Sequence, residues 1–396
     1  FGGKRDLYEI FGYKSKLEYQ DFLARYVRQD IAKRIVKAPP AATWIGKPKI
    51  TGAGAAFDAA WKKLVTKHSL WAKLEKADRL AGIGQFGILL IGYSDGGALD
   101  QPVRSGGGET EVLYLQTYTE GSVNILKFIS DPNNPRFALP EIYEIDAADP
   151  DTASIKTGTT TVRTKSKTFK VHHTRVLHIA EDTLEDGVLG TPRLSCVYNL
   201  LDDLLKIAGG SAETYWLAGN RGMQADIDKE MELTPEDEKA LSDEIEEYQH
   251  ELRRFIRIRG VTLKPMGSDV ADPSGVFDVT VSLISAATGM PRRILLGAEA
   301  GQLASEQDRA NWADRISERQ IDFAEPEILR PFITMNVNAK ALPEPKEDYE
   351  VEWPSAFRMS PLEDAQMMAQ QARAAVNLSR QAQFGDPITT LEEARD

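Results

Sequence analysis

The chain has one cysteine, Cys196, among its 396 residues. A single thiol excludes an intrachain disulfide and suits a reducing compartment. No apolar run reaches bilayer-spanning length: Phe86–Ile91 is far too short, and mean hydropathy is −0.36. That argues against a membrane protein. Histidine is scarce, five in all, and no spaced cysteine or acidic ligand set accompanies it. A metal centre would need three or four convergent ligands, so none is expected. Basic charge is in deficit, with 48 Lys and Arg against 60 Asp and Glu, a net −12 and a pI near 5.1. Proteins that hold nucleic acid by its phosphates normally carry a basic face, so tight DNA binding is disfavoured on composition, which leaves passing contact open. No charged-then-apolar signal segment opens the chain, which begins at Phe1, so the sequence leaves open whether residues are missing at its ends. What is present, 42% hydrophobic residues over this length, supports a folded protein of two to four subdomains.

The organising stretch is residues 275–331. A short apolar segment, Val276 to Thr288, leads into the loop GMPRRILLGAEAG, where Gly289, Gly297 and Gly301 supply freedom and Pro291 removes a donor. A long charged helix follows, with Ser305 as expected N-cap, Glu306 in its first turn, and Trp312, Ile316 and Phe323 along one narrow apolar seam. Pro326 and Pro331 are expected to bend or end it. Taken alone, this is a surface hairpin or a lid. Within the apolar segment, Phe277, Val279, Val281 and Leu283 alternate with polar residues, which is the period of a strand.

Upstream, Phe22, Tyr26, Ile31 and Ile35 form a helical stripe over residues 19–37, which Pro39-Pro40 should stop. Residues 55–81 are helical, with Phe57, Trp61, Leu64, Leu70, Trp71 and Leu74 as core candidates. Gly82, Gly84 and Gly87 fit the dinucleotide pattern GxGxxG, but the order is helix, glycines, strand, the reverse of what a pyrophosphate site requires. Close helix–strand packing accounts for them better. Gly92-Tyr-Ser-Asp-Gly96 fits the GxSxG of a nucleophile elbow, yet the residues after Ser94 carry breakers where a helix should begin. A turn is the plainer reading, with a Ser94 hydrolase as the alternative. Residues 111–179 read as a run of strands, and His172, His173 and His178 on two of them read as structural.

Residues 191–218 are expected to be helical from Thr191 as N-cap, burying Leu194, Val197, Leu201, Leu204, Leu205 and Ala208. Residues 219–267 form a small module. A capped helix begins at Thr234-Pro235, with Leu241, Ile245, Tyr248, Leu252 and Phe255 as its stripe and Arg253, Arg254 and Arg257 near its C-terminus. Strand-like pieces flank it, Met223–Ile227 and Arg257–Pro265. The Ala/Gln-rich helix of 360–380 buries too little to stand alone and needs a neighbour or a second copy.

This order of pieces resembles the portal proteins of tailed bacteriophages over nearly the whole chain. The residues that carry the likeness are DFLARYVRQDIAKRIVKAPP, ADRLAGIGQFGILLIG, PEIYEI, VHHTRVLHIAED, AGNRGMQADI, TPEDEKALSDEIEEY, ISAATGMPRRILLGAEAG and the C-terminal SPLEDAQMMAQQA and FGDPITTLEEAR. The resemblance implies an α+β portal-type fold with an α/β wing, helical stem, small α/β clip and helical crown. Carried over, residues 1–190 are the first part of the wing, 191–218 and 269–289 the stem helices, and 219–268 the clip. Residues 290–304 are then a tunnel loop, 305–357 a long kinked helix with the wing's return, and 358–396 the crown. It places helix over 273–288, against the local strand period, because a subunit packed on both sides can override weak propensity.

The same likeness implies a homo-oligomeric ring, usually of twelve, at the portal vertex of a virion and assembled in the host cytoplasm. Double-stranded DNA would pass through it, and the terminase large subunit, a head–tail adaptor and the major capsid protein would be partners. No cofactor, catalysis or membrane is implied. Arg292, Arg293 and Gln302 are the expected DNA-facing residues, and Glu236, Asp237, Glu244, Glu247 and Arg254 the expected docking residues of the clip. An acidic wall with a few arginines would touch a moving duplex without capturing it. A different head–tail connector component is the remaining alternative, although adaptors are generally much shorter.

Overall fold

The computed structural model describes residues 5–104, 110–148, 166–219, 223–227, 234–237, 239–240, 242–243, 261–265, 272–297, 302–346, 349–355, 368–370 and 372–373. Contacts divide the chain into two units, Phe1–Ile35 with Arg193–Leu296, and Val36–Pro192 with Gly297–Asp396. Elements are numbered in chain order throughout. Among the described residues no helix is long and apolar enough to cross a membrane.

The second unit is built on one strand, β2 (Gly87–Tyr93), every residue of which is buried. Strand side chains alternate between faces, so β2 serves two cores at once. Leu89, Ile91 and Tyr93 join Leu177 and Ile179 of β7 (Val176–Ile179) against Phe57, Trp61 and Leu64 of α4 (Ala55–His68) and Leu70 and Leu74 of α5 (Leu70–Ala81). Phe86, Ile88 and Leu90 point the other way, onto Val123, Tyr143, Ile145 and Val171 of a second sheet. Beside β2 lie β3 (Val112–Thr119) and β7, both antiparallel. The second sheet orders β4 (Val123–Phe128), β5 (Pro140–Ala148) and β6 (Ser166–His172), again antiparallel. A short pair, β1 (Lys49–Thr51) with β10 (Glu350–Glu352), completes this unit.

Helix α3 (Asp30–Ile45) runs straight through Pro39-Pro40, where the sequence predicted a stop. Burial of Ile35, Val36, Thr43 and Trp44 outweighs the two missing donors, and the Thr43 hydroxyl donates to the Pro39 carbonyl at 2.9 Å. The break falls earlier. Gln29, extended at φ −104° and ψ 128°, separates α2 (Tyr19–Arg28) from α3 and donates its amide to the Leu201 carbonyl at 2.8 Å.

The long helix also departs from expectation. It starts at Gln302, so Ser305 lies inside it rather than at its cap, and α9 (Gln302–Arg319) is followed without interruption by ten π-helical residues, Gln320–Leu329. Then comes α10 (Arg330–Asn338). Pro326 neither ends nor breaks the run, because the hydrogen bonds widen to the i→i+5 pattern around it. The Arg330 amide, for example, donates to the Glu325 carbonyl. Ala324, Ile328 and Leu329 are fully buried in the first core and hold the segment there.

In the first unit, α6 (Tyr198–Gly219) packs on α7 (Ser274–Thr288). α6 begins at Tyr198, seven residues after the expected cap. Thr191 has spent its amide on the Glu181 carbonyl at 2.9 Å and its hydroxyl on Asp182 at 2.9 Å. Leu201 and Leu204 are buried, as the pattern required, but Leu205 and Ala208 are exposed. In α7 the helical reading holds over the strand period: Thr280, Val281 and Ile284 are buried at helical spacing. Val276, Val279 and Leu283 are left more than half exposed. An N-terminal strap, α1 (Leu7–Phe11) and α2, is tied to α6 by ions and rings. Arg25 pairs with Asp202 and lies 4.9 Å over the Tyr198 ring, and the Tyr13 hydroxyl donates to Asp203 at 2.6 Å. Two short strands, β8 (Met223–Ile227) and β9 (Val261–Pro265), pair antiparallel.

Candidate functional site

The arginine loop is shaped by the end of α7. Gly289 takes the left-handed conformation at φ +62°, which only glycine adopts freely, and turns the chain out of the helix. Met290 is buried, its carbonyl accepts from the Ser285 hydroxyl at 2.6 Å, and its amide donates to the Thr288 hydroxyl at 3.4 Å. One turn of helix follows, α8 (Arg292–Leu296), opened by Pro291 and closed at Gly297 with φ +71°. Leu295 is buried, and the Arg34 side chain donates through Nε to the Ile294 carbonyl at 3.0 Å. This half of the loop is therefore clamped at several points rather than free to swing. Gly301 and Glu299 lie outside the described residues.

Arg292 pairs with Asp278 on α7, a carboxylate the sequence reading did not weigh. Arg293 is half-buried and engaged as well. Gln302 is the first residue of α9, and its side chain lies outside the described residues. Of the residues expected to dock partners through a clip, Glu236 and Asp237 are exposed on the first turn of a helix that starts after Thr234. The Asp237 carboxylate accepts from the Thr234 hydroxyl at 2.6 Å and the Thr234 amide at 3.2 Å. These bonds from Thr234 hold the Asp237 carboxyl below the usual range. Glu244, Glu247 and Arg254 lie outside the described residues.

The other motifs resolve into structure. A Cβ at Gly87 would come within 2.8 Å of the Ala81 amide nitrogen, so this glycine lets α5 close on β2. Ser94 accepts from the Glu111 amide at 2.8 Å, and an irregular turn, not a helix, follows it. The side chain of its neighbour Asp95 is fully covered and takes both terminal nitrogens of buried Arg175, at 3.1 and 2.6 Å. The GxSxG stretch thus frames an ion pair. Among the described residues no three His, Cys, Asp or Glu side chains gather as metal ligands.

His178 stacks on Phe86 at 4.9 Å and meets the Val188 carbonyl at 2.7 Å, while His173 sits in the turn after β6. Burial pushes His173 down to about 4, helped by the Arg136 cation, and burial lowers His178 too. The His173 ring therefore stays neutral in the fold down to about pH 4 but takes a proton in the unfolded chain below about pH 6.5. The unfolded state then binds more protons, so stability falls as pH drops from about 6.5 towards 4. The melting temperature of the wild type is expected to decline over that window, and His173→Gln to decline less. Equal slopes would remove His173 from the effect.

Sequence reasoning missed a buried ionic network in the second unit. Asp78 is fully buried and accepts from the Trp44 indole at 2.8 Å and from Arg319 at 2.6 and 3.0 Å. Arg319 also donates to Glu181 at 2.8 Å and to the Thr43 hydroxyl at 2.9 Å, and lies 4.8 Å over the Phe323 ring. Burial works against the guanidinium's charge, but Asp78 and Glu181 more than offset that and hold its pKa above the ordinary arginine value. A signal was there to find: Asp78 falls on the same helical face as Leu70, Leu74, Ala77 and Ala81.

A sequence profile of the family described as phage portal protein matches residues 20–377. A search of curated protein sequences finds no match. Among solved structures, the chain is similar to one from the neck of an empty GTA particle computed with C6 symmetry, with TM-score 0.54, 15% identity, and 98% and 97% of the two chains covered. It is likewise similar to one from the virion of a native gene transfer agent particle, with TM-score 0.54, 14% identity and the same coverage. A third, from the neck of a native GTA particle computed with C12 symmetry, gives TM-score 0.53, 15% identity, and 93% and 94% coverage. At such identities the likeness is one of fold.

Proposed function

Since the chain belongs to the phage portal protein family, we propose that it closes into a head-to-tail connector ring, of twelve copies, at one vertex of a virion. Head-to-tail contacts that close give rings. The observation that carries this is the pair of exposed apolar faces on α6 and α7. Leu205, Tyr215 and Trp216 on α6 and Val276, Val279 and Leu283 on α7 are all exposed by half or more. Exposed apolar patches on helices mark contact surfaces, and copies of the same chain supply matching ones. The similar particle necks, computed with C6 and with C12 symmetry, are both compatible with that copy number.

In this reading residues 191–218 and 269–289 are stem, 219–268 clip, 290–304 the tunnel loop, 305–357 the long helix with the wing's return, 358–396 crown and 1–190 the rest of the wing. Double-stranded DNA is packaged and ejected through the ring, past Arg292, Arg293 and Gln302. The clip, through residues such as Glu236, Asp237, Glu244, Glu247 and Arg254, docks the terminase large subunit and later the head–tail adaptor. The major capsid protein surrounds the ring, which assembles in the host cytoplasm. The chain carries out no catalysis itself. Ser94 is committed to a turn, so Ser94→Ala leaves its behaviour unchanged.

A packaging assay tests the reading. Arg292→Ala with Arg293→Ala is expected to leave rings of normal thermal stability but to give shortened or leaking genomes. In the same assay, replacing 219–268 by a Gly/Ser linker is expected to leave rings that attach neither motor nor adaptor. Full-length, retained genomes from the double arginine variant would remove the loop from the mechanism. Loss of the ring itself in the linker variant would show the module to be structural.

A further inference from the structure

Resting on the reading of residues 290–304 as the DNA-facing loop, we propose that Asp278 is a resident competitor for Arg292. The carboxylate occupies the guanidinium until a backbone phosphate displaces it, and recovers it when the phosphate moves on. The loop's effective grip on DNA is then set by α7, not by the arginine alone.

Four observations lead there. The pair is open to water on both sides, with the Arg292 side chain 41% and the Asp278 side chain 55% exposed. By contrast, the arginine pairs at Asp95 and Asp78 are shut in, with carboxylates 0% exposed, and those at Asp202 and Glu325 lie between, at 20% and 18%. An exposed pair is weak and easily exchanged, whereas breaking a buried one strands a charge. Second, the exchange needs only a side-chain swing. The backbone that carries Arg292 is fixed by buried Met290 and Leu295 and by the Arg34 bond to Ile294. Third, carboxylate and phosphate both match the planar fork of a guanidinium, so one can replace the other without a change of geometry.

The fourth observation is position. An α-helix advances about 100° per residue, so Val276, Val279 and Leu283 share an arc of roughly 60° while Asp278 lies roughly 100° or more beyond it. Covering the apolar stripe with a second copy leaves the Asp278 side of α7 clear. A polyanion that must keep moving gains from such a competitor. Each free arginine would add counterion-release affinity, and a carboxylate beside it takes part of that away.

The test is a double-mutant cycle on rings of the full chain, with binding of a fluorescein-labelled DNA duplex followed by anisotropy over a salt series. Native mass measurement confirms that every ring is intact. Asp278→Asn is expected to tighten binding by up to about fivefold for each arginine engaged, and to steepen the salt dependence. Arg292→Ala weakens binding, and Asp278→Asn has no effect in the Arg292→Ala background. Equal tightening by Asp278→Asn in both backgrounds would mean a general charge effect and overturn the exchange. So would no change from Asp278→Asn where Arg292→Ala weakens binding, although the DNA-facing loop would then stand. If Arg292→Ala binds duplex as the wild type does, the loop reading falls, and the exchange with it.

Discussion

Asp78→Ala is expected to destabilise the chain by about 3–5 kcal/mol, the usual cost of removing one partner from a buried ion pair. The carboxylate is fully buried and receives the Trp44 indole and two nitrogens of Arg319. Its loss leaves the guanidinium, on a side chain only 11% exposed, leaning on Glu181 alone for the charge that Asp78 supplied, among the described residues. For a unit of this size each kcal/mol moves the melting temperature by roughly 2–4 °C, so a fall of about 10 °C is the result to look for. Lys14→Ala is the control, because it breaks an ion pair with Asp21 whose lysine is 59% exposed, and it should leave stability almost unchanged. If the two variants melt together, the network contributes nothing to stability. Replacing Asp78, Glu181 and Arg319 together by apolar residues of similar size should cost far less than Asp78→Ala, since no charge is then stranded.

The second large effect concerns assembly. Val279→Asp with Leu283→Asp places two carboxylates on the exposed apolar arc of α7, away from Thr280, Val281 and Ile284, which are buried. Folding should survive, because surface changes away from such features usually stay within about 0.5 kcal/mol. The ring should not. Two charges per copy would be buried unpaired at every subunit contact, and each costs several kcal/mol. Native mass measurement is expected to show the 43.9 kDa chain alone for the variant and a closed oligomer for the wild type. Rings in both samples would take this face out of the interface.

Much of the second unit could be read from local pattern. The helices of 55–81, the strand after them and the antiparallel run to Ile179 all follow their hydrophobic periods, and Phe57, Trp61, Leu64, Leu70 and Leu74 are core as expected. Period failed where tertiary packing overruled it. Val276–Leu283 alternates like a strand yet is helix, because α7 buries only one narrow face and leaves apolar residues outside. Pro39-Pro40 and Pro326 failed as stop signs, since buried neighbours hold the helix on both sides of each. The arginine loop was found by its glycines and adjacent cations. Its carboxylate partner was not, because Asp278 is fourteen residues away and reaches Arg292 only once the chain has turned at Gly289.

The run from Gln302 to Asn338 is continuous along the backbone, but mechanically it is two rods. The i→i+5 stretch from Gln320 to Leu329 includes Pro326, which supplies no donor to the ladder. Arg319 sits at the junction and is bolted to three separate pieces of chain, at Thr43, Asp78 and Glu181. At the far end Arg330 is tied to Glu325 and lies over the Tyr349 ring. A torque applied to the residues before Arg319 is therefore grounded in α3, α5 and the loop after β7. Twist arriving at one end of this helix is spread as load over the sheet-bearing core before it reaches the other.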